Sequence, residues 1–187
     1  MDIRQLFAKS EALYISIVKD ISKMAYAVAD IMKKKGRAFD PELTVEKFDL
    51  VLQYSLLQIA CSDSDLAKEE IAFIKDLTKY ADFCDFISSV NEKYADLTWD
   101  KLLSYKAEKV SSILYETEND LRAVSEEVVS VFAIGDRADR YNHLADLSDN
   151  VFGIISGLAF ADGDEDSEDL RQNVLIFDCI DKIEELK

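Results

Sequence analysis

Closely spaced carboxylates occur twice in this chain, each time between two helix-like segments. The first stretch is Ser62-Asp63-Ser64-Asp65-Leu66-Ala67-Lys68-Glu69-Glu70, and the second is Ala161-Asp162-Gly163-Asp164-Glu165-Asp166-Ser167-Glu168-Asp169. Each sets acids two residues apart in a turn and adds more where the next helix should start. Hard divalent cations such as calcium, magnesium or manganese need several oxygen ligands close together, and such a turn supplies them. The carboxylates repel one another, and a bound cation would relieve that cost.

Helix capping competes with this reading. Asp, Ser and Glu are ordinary residues at a helix start, and Asp166 with Asp169 three positions on is nearly a capping box. In the first stretch the equivalent position is Ala67, a poor cap, so capping accounts for the second turn better than the first. Ion binding and capping are equally open at this point. An EF-hand is excluded: counted from Asp162, position six is Ser167 instead of Gly and position twelve is Asn173 instead of Glu. Counted from Asp63, position twelve is Ile74. A bundle di-iron centre needs two Glu-x-x-His motifs. The only histidine is His143, and Arg140 stands three before it. His143 reads as a surface or boundary residue. There is no Gly-rich phosphate loop and no Ser-His or Cys-His nucleophile pair, so the chain reads as a non-enzyme.

The elements that must hold these turns are helices. The 187 residues contain one proline, Pro41, and five glycines, too few breakers for the turns of a β-sandwich. Apolar residues make up 49% and charged residues 32%, a globular balance. The formal net charge of −16 repels phosphate backbones and anionic lipid heads, which argues against nucleic acid and membrane surfaces and for cations or basic proteins. Cys61, Cys84 and Cys179 form no CxxC pair and lie in apolar surroundings, as buried free thiols do. Direct chemistry at Cys61, beside the first turn, is disfavoured for that reason. The longest apolar run, Val151 to Ala161, is too short to span a bilayer, and the start lacks a signal-peptide pattern. A cytoplasmic location is expected.

Leu6, Leu13, Ile17, Ile21, Met24, Val28 and Ile31 recur at steps of three, four and seven, which predicts a helix over about 2–35 closed by Lys33-Lys34-Lys35 and Gly36. Asp40-Pro41 opens a second helix, reaching about Cys61. A third is expected from about Ala67 to Lys79, and another from near Asp82. Thr98-Trp99-Asp100 opens a long stretch to about Ile134, with a break near Glu118 to Asp120 open. A helix from about Arg140 to Phe160 follows, then the acidic turn, then a last helix to about Leu186.

The order repeats. Sliding Asp63 onto Asp162, an offset of 99, also puts Gly36 on Gly135, Asp40 on Asp139, Ala60 on Ala159, Asp65 on Asp164 and Glu69 on Glu168, without a gap. The expected fold is an all-α helical bundle of two pseudo-repeats related by an approximate twofold. It forms a single domain over 1–187, with repeats of about 1–95 and 96–187 and a junction near Tyr94 to Thr98.

A helix ending in Ala, an Asp-Gly turn and an acid seven residues after the Asp resemble the tellurite-resistance TerB family. Ala161-Asp162-Gly163 with Asp169 carries the likeness in the second half. Ser62-Asp63-Ser64 with Glu70 carries it in the first, with Ser for Gly; Asp169 stands for the usual Glu. The resemblance implies a bacterial, cytoplasmic helical module with an acidic metal-binding patch, associated with stress or tellurite resistance and with a possible protein partner in a stress-response complex. On the motif, Asp63, Glu70, Asp162 and Asp169 would hold the metal; Asp65 and Asp164 join them from the repeat. The alternative expectation is a metal-independent interaction module whose acidic face docks a basic partner.

Overall fold

Local signals set the first two helices. The computed structural model describes residues 3–62, 67–77, 90–161 and 174–186. Helix α1 (Ile3–Lys34) buries Leu6, Ile17, Ile21, Met24 and Val28, the stripe expected from the spacing. It ends on Gly36, whose φ of 67° lets the Gly36 N–H reach Lys33 O and the Arg37 N–H reach Met32 O, both at 3.0 Å. That is a Schellman closure, and it needs a residue without a Cβ penalty in the left-handed region. Helix α2 (Pro41–Ala60) starts where expected, with Asp40 Oδ1 accepting the Glu42 N–H at 3.1 Å. From Phe48 to Ala60 nearly every side chain is buried, so α2 is the central helix rather than an amphipathic one.

Helix α3 (Lys68–Leu77) follows the first acidic stretch. The helix expected from near Asp82 lies outside the described residues. At the expected junction stand a 3-10 turn (Glu92–Tyr94) and the cap Thr98.

The stretch after Thr98 differs from expectation. It is two helices, α4 (Trp99–Leu103) and α5 (Ala107–Phe132). The Ser104 hydroxyl donates to Lys101 O at 2.7 Å, giving the backbone a local alternative to continuing. No break occurs at 118–120. There Leu121 is fully buried, and the Arg122 guanidinium grips Glu118 one turn earlier at 2.7 Å. Helix α6 (Arg137–Ala159) starts three residues earlier than the sequence suggests, because Asp136, not Asp139, accepts the capping N–H, from Ala138 at 2.8 Å. The last helix, α7 (Leu175–Glu184), does not run unbroken from the second acidic turn: Val174 is extended (φ −91°, ψ 123°) and forms its cap. Its first turn is completed by α2, where Ser55 Oγ accepts the Ile176 N–H at 3.0 Å.

Side-chain pairs fix the helix directions. Tyr14 donates to Asp49 Oδ1 at 2.6 Å and Tyr26 bonds Glu42, so α1 and α2 are antiparallel. Asn150 donates to Ser16 Oγ at 3.3 Å, and Gly157 lies against Leu6 and Ser10, so α1 and α6 are antiparallel too. Tyr54 donates to Leu114 O at 2.8 Å and Lys47 pairs with Glu127, so α5 runs against α2. The packed pairs are α1 with α6, α2 with α5, and α1 with α2. Helix α3 lies on α1, α2 and α6, and α7 on α5, α2 and α6. The described residues are all-helical, with a single cluster of buried side chains drawn from these helices. No helix among them is long and apolar enough to cross a membrane.

Candidate metal site at one end of the bundle

Helices α2 and α6 both run antiparallel to α1, so both end beside its N-terminal half. The two Asp-rich stretches therefore leave from the same end of the bundle. The two exits also close alike. The Cys61 N–H bonds Leu57 O at 3.1 Å and the Ser62 N–H bonds Ile59 O at 2.9 Å. In the second half the Phe160 N–H bonds Ser156 O at 3.1 Å and the Ala161 N–H bonds Leu158 O at 2.9 Å. Cys61 and Phe160, and Ser62 and Ala161, are each 99 apart, and the ends of α1, α5 and α7 close with the same pair of bonds. Neither helix has a basic residue in its last turn, unlike α1 with Lys33 and Lys34. The negative ends of both helix dipoles are thus left without a cation of their own.

The third helices touch both halves. Phe73 of α3 packs near Gly157 in the last turns of α6, and stacks edge-on against Phe7 with ring centroids 5.4 Å apart. The N-terminus of α7 seats on the last turns of α2 through Ser55 and, at 3.5 Å, Gln58. The helix after each acidic stretch therefore packs on both of the helices that lead into the two stretches.

Of the proposed ligands, Asp63, Asp65, Asp162, Asp164 and Asp169 lie outside the described residues. Glu70 is described, and it is 6% exposed. Its Oε2 accepts the Ala67 N–H at 2.9 Å. That is the carboxylate half of a capping box, made without the Ser or Thr half that Ala67 cannot provide. Glu70 thus serves the start of α3, a role that the weak cap at Ala67 hid in the sequence. Among the described residues, no three His, Cys, Asp or Glu side chains gather as a metal-binding group.

The thiols near the site are packed. Cys61 is 8% exposed at the end of α2, and Cys179 is fully buried on α7. Burial pushes the Cys179 thiol up to about 11, far from a reactive thiolate at neutral pH. Cys84 lies outside the described residues. His143 occupies the boundary position expected for it, its Nδ1 3.3 Å from Asp20 Oδ1 across the α1–α6 interface.

One titratable residue was not legible in the sequence. Asp49 sits in α2 between Tyr14, which donates to Oδ1 at 2.6 Å, and Gln53, which donates to Oδ2 at 2.5 Å. Burial raises its pKa above the ordinary carboxylate range, although both hydrogen bonds pull the other way. Gln53 Oε1 is buried beside it without a partner. Because the folded state holds the proton more tightly, Asp49 contributes stability below the ordinary carboxylate range that is lost as pH rises through its raised pKa. Asp49→Asn removes the buried charge, keeps an acceptor for Tyr14 and offers an N–H to Gln53. We expect it to raise unfolding stability at pH 7 by roughly 1 kcal/mol. Urea titrations at pH 7 and in acid check this, and the gain should vanish in acid. A gain independent of pH would contradict the account.

The chain matches no family model, and neither the curated proteins nor the solved structures hold a significant match to it.

Proposed function

We propose that this protein binds divalent cations at the end of the bundle where the two Asp-rich stretches leave it, using Asp63, Asp65 and Glu70 from one stretch and Asp162, Asp164 and Asp169 from the other. One observation carries the reading. The two helices that lead into these stretches, α2 and α6, end at the same end of the bundle with no basic residue in their last turns. Two negative dipole ends then share one end of the molecule, each leading into a run of carboxylates in the sequence, and a cation is the economical counter-charge. An all-oxygen donor set suits calcium, magnesium or manganese better than zinc or copper. The resemblance to TerB proteins supports the same reading and, with it, a place in a bacterial stress response. We read the two halves as copies of one unit about an approximate twofold. The offset of 99 and the paired packing of α1 on α6 and α2 on α5 support that reading.

Calorimetric titration of the native chain and an Asp63→Asn/Asp162→Asn variant with calcium, magnesium and manganese tests the proposal. We expect saturable heat for at least one ion in the native protein, and affinity at least tenfold weaker in the variant. No heat from the native protein, or equal heat from both, would remove metal from the account.

The bond from the Ala67 N–H to Glu70 favours a second reading, because it gives one of these carboxylates a helix-capping task. In that reading the same acidic end docks a basic partner without metal. A complex that survives chelator and dissociates in high salt belongs to it.

A further inference from the structure

We propose that the cleft between the first turn of α6 and the end of α7 binds a small zwitterion, a free α-amino acid with a bulky apolar side chain. The cleft, about 350 Å³, lies at the end of the bundle away from the exits of α2 and α6. That volume suits a small molecule rather than a macromolecule.

Two opposite charges line it, Arg137 on α6 and Glu184 on α7, both exposed. Among the described residues neither has an ion-pair partner, and they do not pair with each other. The helix dipoles do not account for them. Arg137 is the first residue of α6, where the dipole is positive and Asp136 already supplies the cap. Glu184 is the last residue of α7, where the dipole is negative. Each charge therefore stands at the end of its helix that disfavours it, and both line one cleft.

The floor of the cleft is preformed. Arg140 lines it and is 4% exposed. Its guanidinium ties the two sides together, donating to Phe132 O and Gly135 O on one and to Leu186 O on the other. These acceptors are carbonyls, so among the described residues no carboxylate balances the buried charge. A ligand carboxylate on the α6 side gains from that fixed positive field and from the guanidinium fork of Arg137, which is not spent on the fold. Glu184 repels a simple anion and accepts an ammonium from the α7 side. Leu144, Ile183 and Leu186 give the cleft its apolar wall. An ammonium, a carboxylate and an apolar side chain carried on one carbon match these three features together.

The test is an amide-shift titration of the full chain with L-leucine and L-phenylalanine. N-acetyl-leucine, which lacks the ammonium, leucinamide, which lacks the carboxylate, and glycine, which lacks the apolar side chain, are run alongside. We expect saturable shifts with leucine, phenylalanine or both, confined to about residues 135–146 and 182–186. Binding should be about tenfold weaker for each of the three incomplete ligands, and for Arg137→Met and Glu184→Gln chains titrated with the amino acid that binds. Thermal unfolding of neither variant should fall, because each charge opposes its own helix dipole. No saturable shift at this cleft with either amino acid overturns the proposal, as does equal binding by any incomplete ligand or by either variant. A lower unfolding temperature in either variant also overturns it, because that residue would then serve the fold.

Discussion

Arg140→Met is expected to lower unfolding stability by about 3 kcal/mol. Arg140 lies on the first turn of α6 and is 4% exposed. Its guanidinium donates to Phe132 O at 2.9 Å and Gly135 O at 2.6 Å, and to Leu186 O at 3.1 Å. It thus gathers carbonyls from the end of α5 and from just beyond α7, where two helix dipoles present their negative ends. Each bond from a charged donor contributes about 1.5–3 kcal/mol, and the cost of burying the charge offsets part of their sum. Met keeps the length and the apolar contacts but leaves three carbonyls without this donor. A cleft of about 350 Å³ beside Arg140 admits water, which limits the loss. Thermal unfolding should show a drop of roughly 6–12 °C for a chain of this size. Arg137→Met, on the exposed side of the same cleft, should stay within about 0.5 kcal/mol of native. Equal stability of Arg140→Met and the native chain would mean that desolvation cancels the three bonds.

The second large effect is expected at Gly157, in the last turns of α6. A Cβ built there would lie 2.9 Å from Ser10 Oγ, 3.3 Å from Phe73 Cζ and 3.4 Å from Leu6 Cδ1. The glycine lets α1, α3 and α6 meet at one point, close to the start of the second acidic stretch. Ala and Val separate the causes. For Gly157→Ala the Ser10 hydroxyl can rotate away, and the gain in helix propensity, about 1 kcal/mol, offsets the strain. Its stability should therefore change little. Gly157→Val adds two methyl groups toward the ring of Phe73 and the side chain of Leu6, which are buried and enclosed. Overpacking and lost helix propensity together should cost about 3 kcal/mol. Denaturant titration of both variants decides the matter, and a valine variant as stable as the alanine one would show that the junction yields. Because Phe73 and Gly157 brace the two exits on each other, the valine variant also gives a metal-independent way to disturb that end of the bundle.

What was legible in the sequence was local. Gly36 after a lysine run and Asp40 before Pro41 each act on the N–H or C=O groups of their own turn, so residue order is enough to place them. The stripe from Leu6 to Val28 was legible because a helix buried on one side must repeat its apolar residues with the helix period. The candidate site was legible as composition, two runs of carboxylates, and not as an arrangement.

The rest was decided between elements distant in the chain. Nothing near Val174 marks it as a cap, and the acceptor that starts α7 is Ser55, about 120 residues earlier. Asp136 and Asp139 are equally good caps by type, and the choice between them moved the start of α6 by one turn. Half-buried Asp49 and buried Arg140 are ordinary charged residues in sequence. Burial is a property of the neighbours that the fold brings in, Tyr14 in one case and the ends of α5 and α7 in the other. Residue order set the helices and gathered the charge. The antiparallel seating of α2 and α6 on α1 alone set the helix ends that lead into both acidic stretches at one end, because helix direction depends on which faces pack together and not on any residue within the turns.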